Sequence, residues 1–182
     1  MRKLLVTVFC LSLLLIASRA LLAEQAKRAS PHEQVTAVLG GKKVTIDYGR
    51  PLKKGRDIFG KLVPFGQVWR TGADEATVLT SEGNLTLGDL KVPKGSYTLF
   101  TVPGEKEWQL VVNKAAKQWG AYSYDQKQDV GRAKMTVAAA AAPVEQFTIA
   151  IEAQGQGQGQ SKTGTLKLSW DKTVASIPIS VE

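Results

Sequence analysis

Apolar and polar positions alternate along much of this chain. Val44, Ile46 and Tyr48 interleave with Lys43, Thr45 and Asp47, and Phe147, Ile149 and Ile151 with Thr148, Ala150 and Glu152. Leu166, Leu168 and Trp170 do the same with Lys167 and Ser169. A period of two sends successive side chains to opposite faces, so these stretches predict strands with one face in a core. Residues 76–80, 97–102 and 108–112 are more continuously apolar and predict strands covered on both faces. Ser81-Glu82-Gly83-Asn84, Gly88-Asp89, Pro93-Lys94-Gly95 and Pro103-Gly104 separate the runs and supply turn chemistry. Turns about every ten residues, with no sustained helical stripe, predict an all-β single domain. The expected architecture is an antiparallel β-sandwich or partly closed barrel of about nine to ten strands.

Three stretches qualify that reading. Pro178 within residues 174–181 places the last strand at an edge or gives it a bulge. Residues 138–142 are five alanines with helical propensity, but the run is too short to hold a helix and stops at Pro143. Residues 154–160 alternate Gln and Gly and read as an extended hairpin tip.

The chain begins as a targeting signal begins. Arg2 and Lys3 precede an apolar run over residues 4–17, and small residues offer cleavage after Ala20 or Ala23. That order predicts a secretory signal peptide over 1–23. The apolar run is shorter than the ~20 residues of a membrane-spanning helix, so no transmembrane segment is expected after cleavage. A polar leader over 24–34 is expected to be flexible, with the folded domain over 35–182. Secreted or periplasmic localisation follows. Cys10 is the only cysteine and lies inside the signal, so the mature chain has no thiol for a disulfide, a thiolate metal site or a nucleophile. Loss of Arg2, Lys3 and Arg19 leaves 21 basic against 16 acidic side chains, a net charge of +5. That is short of the excess typical of nucleic-acid binders and points to anionic small ligands or envelope components.

Residues 50–74 pass without a convincing strand, and long irregular loops inside compact domains are usually functional. This loop carries Arg50, Lys53, Lys54, Arg56, Lys61 and Arg70, together with Ile58, Phe59, Leu62, Val63, Phe65, Val68 and Trp69. It therefore reads as one long ordered loop packed down as a lid or side wall. The stretches VTIDYGRPLKKGRDIFGKLVPFGQVWRTGADEAT, KVPKGSYTLFTVPGEKEWQLVVN and QWGAYSYDQKQDVGRAKM resemble the signature blocks of the domain of unknown function family 2911. The resemblance covers roughly residues 31–182. It implies a bacterial exported protein with a compact β-rich domain and supplies no activity or catalytic residues.

No catalytic set is complete. His32 is the only histidine and falls in the leader, so neither a Ser-His-Asp arrangement nor a histidine-rich metal site is expected. No cofactor or metal is implied. Asp47, Asp57, Asp74 and Glu75 leave a carboxylate-based glycan hydrolase as one alternative, and a structural protein of the envelope, held through an edge strand at 174–181, as another. The leading expectation is a non-catalytic module binding an anionic or saccharide ligand. Its candidate residues are Arg50 and Arg56 as planar anion-binding forks, Trp69 as a stacking surface, Arg70, Asp74, and Tyr122 from an aromatic loop that also holds Trp119 and Tyr124. For Arg50 and Arg56, bracing of the protein's own loop is the competing role. Trp69 plugging the core, with Arg70 paired to Asp74 or Glu75, competes likewise. Lys53 and Lys54 are expected in solvent.

Overall fold

The computed structural model describes residues 28–116, 118–155 and 161–182; the expected signal peptide lies outside the described residues. The fold is one nine-stranded antiparallel sheet that does not close into a barrel. The strands are β1 (His32–Leu39), β2 (Lys42–Gly49), β3 (Thr77–Ser81), β4 (Leu85–Leu87), β5 (Leu90–Val92), β6 (Gly95–Val102), β7 (Glu107–Asn113), β8 (Asp129–Ala153) and β9 (Thr163–Val181). Across the sheet they run β1-β2-β3-β6-β7-β8-β9-β4-β5. A 3₁₀ turn, Gln126–Gln128, leads into β8.

The sheet bends back on itself around one core. Val44, Ile46 and Tyr48 of β2, Leu110 and Val112 of β7, Phe147 and Ile149 of β8 and Leu166, Leu168 and Trp170 of β9 all point into it. The bend brings β2 against the distal half of β8, although three strands lie between them in the sheet. There the Tyr48 hydroxyl accepts a hydrogen bond from Ile149 N at 2.9 Å and faces Ile149 O at 3.5 Å.

The two longest strands turn this corner through irregularities. β8 breaks register between Ala139 and Val144 and again between Val144 and Thr148. The alanine tract is thus part of a strand, paired with β9 at Ala138 and Ala139 against its own propensity. In β9 the inward residues are even-numbered up to Trp170 and odd-numbered from Ala175 onward. Asp171, with φ 51°, sits at the start of that phase change. The segments expected as separate strands at 166–170 and 174–181 are therefore one bent strand.

Pro178 does not mark an edge. β9 lies between β8 and β4, and the true edges are β1 and β5. The ladder with β8 ends at Ser176, and the one with β4 begins at Ile179. The missing N–H of Pro178 falls in the gap, while its carbonyl accepts from Gly88 N at 2.9 Å. β6 and β7 are covered on both faces as expected, with Thr98 to Thr101 and Leu110 to Asn113 consecutively buried. β3 is not: Thr80 is exposed between buried Leu79 and Ser81. Within the stretch expected as a flexible leader, residues 28–34 are packed: β1 starts at His32, and Ala29 and Ser30 donate backbone hydrogen bonds to Asp74. The Gln-Gly tract joins β8 to β9; its first two residues are described, and 156–160 lie outside the described residues.

Residues 50–74 form an ordered loop touched by isolated pairings at Leu52 with Gln146 and Trp69 with Thr101. It serves as a wall of the core. Ile58, Val63 and Trp69 are buried. The Trp69 ring stacks on Trp170 at 6.0 Å and 15°, and meets Phe147 edge-on at 5.1 Å and Phe59 at 6.0 Å.

Candidate functional site

The Trp69-Arg70-Thr71-Gly72-Ala73-Asp74 turn is wedged against the end of β2 by two glycines. A Cβ on Gly49 would lie 2.2 Å from the Ala73 carbonyl oxygen, and one on Gly72 would lie 2.8 Å from that of Gly49. Only glycine permits so close a backbone approach. The turn also holds Thr71 at φ 58° and Asp74 at φ 60°, a region a β-branched residue rarely enters. Buried hydrogen bonds fix it there. Thr77 Oγ1 donates to Thr71 O at 2.7 Å, and Thr71 Oγ1 donates to Thr101 Oγ1 at 3.2 Å. Backbone strain held in this way clusters at functional sites.

Beside this turn opens a cleft of about 420 Å³, within the size range of small-molecule sites. Its floor includes Trp69 and Trp170, and Ala29 to Pro31 close one side. Lys54, Arg56 and Arg70 line it against a single acid, Asp74. The Asp74 carboxylate is already occupied, accepting from Ser30 N at 3.1 Å and Ala29 N at 3.3 Å. Arg56 is held in place by its own turn, donating from Nε to Lys53 O at 2.9 Å and from Nη2 to Leu52 O at 2.5 Å. Arg70 differs: its Nε is buried and has no acceptor among the described residues. It does not pair with Asp74 or Glu75, since Glu75 receives Arg28 Nε at 2.9 and 3.1 Å.

Four of the six candidate residues, Arg56, Trp69, Arg70 and Asp74, thus meet at one cleft. Trp69 meets it from the core, as part of the floor, which combines the two roles the sequence left open. Arg50 does not join them. Its guanidinium faces the Glu33 carboxylate and donates to Phe147 O at 3.1 Å and Thr148 Oγ1 at 2.8 Å, so it braces β2 and β1 to β8. Tyr122 does not join them either and is 86% exposed, away from the cleft wall. Trp108 lies in the main core, and Tyr124 packs edge-on against Phe100 at 5.1 Å.

Lys53 is not a solvent residue. Its ammonium meets Asp171 Oδ1 at 2.6 Å, tying the loop to the bend of β9. The hydrogen bond that Lys53 donates to Asp171 raises the Lys53 pKa above its ordinary value. Lys54 is exposed and lines the cleft. His32, expected in a solvated leader, contacts the Asp47 carboxylate.

The four acids weighed for hydrolysis divide. Asp74 faces the cationic cleft, whereas Asp47 and Glu75 face a different one, against His32 and Arg28 respectively. Asp57 is exposed and lines neither. Among the described residues no group of three or more metal-ligating side chains comes together.

Sequence reasoning missed the contribution of residues 28–32, which wall both clefts. Their polar, patternless composition carried no signal of packing, because what holds them is the pair of acids some 45 residues away. No curated protein and no solved structure matches this chain. Residues 30–179 match the family model described as Protein of unknown function (DUF2911), and the chain belongs to that family.

Proposed function

We propose that this protein is an exported, non-catalytic module of the cell envelope that binds a small anion, or the acidic group of a saccharide, in the cleft bounded by Lys54, Arg56 and Arg70. The observation that carries this reading is the buried Arg70 Nε without an acceptor among the described residues, in a cleft where the one acid among them is engaged by backbone N–H groups. A buried donor left unpaired costs about 1–3 kcal/mol, and more when charged. An incoming carboxylate, sulfate or phosphate oxygen offsets that cost, and the planar guanidinium fork suits such oxyanions. The signal-like first 23 residues support export.

Calorimetric titration with sulfate, phosphate and glucuronate, at low and high ionic strength, tests the reading. At least one anion is expected to bind, more weakly in high salt, and to lose roughly tenfold or more in affinity in Arg70→Met, as a charged hydrogen bond would predict. If none binds, or binding survives in Arg70→Met combined with Arg56→Ala, the reading fails.

A further inference from the structure

The second cleft is larger, about 630 Å³, and chemically unlike the first. It lies on the outward side of β1, β2, β3 and β6, where residues 116 and 118–119 rise beside the sheet. We propose that it is a separate binding site for a neutral, hydroxyl-rich ligand, a sugar ring or short saccharide.

Both carboxylates in this cleft already have partners. Arg28 donates to both carboxylate oxygens of Glu75, and His32 contacts Asp47. An ionic ligand would have to break one of these pairs, whereas a neutral hydroxyl needs only the lone pairs that each carboxylate retains. The remaining polar wall is of the same kind. Gln34 and Gln118 contribute carboxamides, and Thr80 and Ser96 present hydroxyls 3.0 Å apart. These groups donate and accept, as sugar hydroxyls do.

Gln118 supplies an independent sign. It is 8% exposed, lines the cleft, and spends its amide on Ala115 O at 3.2 Å. Its Oε1 is left without a donor among the described residues. Buried acceptors normally find a partner, and a ligand hydroxyl would be one.

The apolar requirement is met as well. Ala76 and Val78 line the cleft, and Trp119, 47% exposed, stands in its wall. An amphipathic indole suits the C–H face of a sugar ring while its hydroxyls reach polar groups. Trp119 is fixed there by its backbone pairing with Glu75, with Ala76 N donating to Gln118 O at 2.8 Å and Gly120 N to Asp74 O at 3.0 Å. The ridge formed by Arg28 to His32 and Asp74 to Ala76 thus separates two chemistries, with Asp74 on the cationic side and Glu75 on the neutral one.

The experiment titrates the full domain with glucose, galactose, N-acetylglucosamine and their disaccharides, with glucuronate and phosphate as charged controls. A tryptophan fluorescence change that disappears in Trp119→Ala reports on this site, because Trp119 lines it while Trp69 and Trp170 line the cationic cleft. Calorimetry reads the same titrations independently of the indole. At least one neutral sugar is expected to bind with a Kd of about 1 mM or tighter, insensitive to salt and unchanged in Arg70→Met. Trp119→Ala and, separately, Asp47→Asn are expected to weaken it roughly tenfold or more. Trp119 is a surface indole, so its removal keeps the test valid if the Asp47 variant misfolds. Failure of every neutral sugar to bind overturns the proposal. So does binding that survives in the folded variants, or capture of the charged controls in preference through Asp47 and Trp119. Loss of anion binding in Arg70→Met leaves this site untouched, so the two readings fail separately.

Discussion

At the scale of single residues, the large apolar side chains of the core were plain in the sequence, whereas the roles of glycine and arginine depend on contacts distant in the chain. Gly49 ends a strand with alternation that the sequence displays, yet nothing local marks it as a contact point. Its role comes from Ala73, 24 residues on, whose carbonyl oxygen occupies the space a side chain would need. Gly49→Ala is expected to destabilise the fold by about 2–3 kcal/mol, the upper range for overpacking, measured by urea denaturation. Gly55→Ala in the same loop has nothing within 4 Å of the new methyl and differs by carrying φ 70°, so only conformational strain opposes it. Its cost should be about 1 kcal/mol. Equal losses would remove the close-approach explanation. The arginines show the other limit of sequence reading. Arg50, Arg56 and Arg70 looked alike as cations; one is spent on Glu33 and β8, one on its own turn, and one retains a buried donor. Only the fold decides which of them remains available.

Elements were legible where periodicity and turns agree, as in β2, β6 and β7, and less so where a strand changes phase. β9 reads as two strands because Asp171 shifts its inward face by one residue, and β8 hides its middle in an alanine run. Pro178 misled for a related reason: a strand can lie inside a sheet and still have a gap between one partner and the next. The loop over 50–74 was recognised for its length and apolar content, and its aromatic packing decides whether it is a lid or a wall. Trp69→Ala is expected to cost about 3–5 kcal/mol, as for buried aromatics, while Leu62→Ser, at 46% exposure, should stay within about 0.5 kcal/mol. Thermal and urea unfolding of the two variants measures this. A movable lid would instead tolerate both changes, with effects confined to ligand binding. The sequence also placed the candidate site on this loop, and four of its six residues do meet there. The opposite wall, residues 29–31, was invisible because it is held through the backbone amides of Ala29 and Ser30 donating to Asp74.

For the whole molecule, alternation predicts a one-cored β-domain but not how the sheet returns on itself, since strand order depends on contacts far apart in the chain. The hydroxyl of Tyr48 fastens that return, joining β2 to Ile149 of β8. Burial, the largest influence, raises its pKa above the ordinary 10.0, with the Ile149 hydrogen bond opposing. Above pH 10.0 an unfolded chain ionises this phenol readily while the folded chain resists, so the unfolded state gains and stability falls as pH rises. Tyr124 is raised mainly by burial and acts in the same sense. Lys53, raised through Asp171, also holds its contribution below 10.5 and loses it as pH climbs through its folded value. All three therefore predict a loss of stability at alkaline pH. Tyr48→Phe should lower stability at neutral pH by about 1–3 kcal/mol, because Ile149 N loses its buried acceptor. The same variant should lose less than the parent between about pH 9 and about pH 11, since one of the three titrations is gone. Urea unfolding at both pH values gives the difference directly. If parent and variant decline in parallel, the contact between β2 and β8 does not govern the alkaline response, and Lys53 with Tyr124 must carry it.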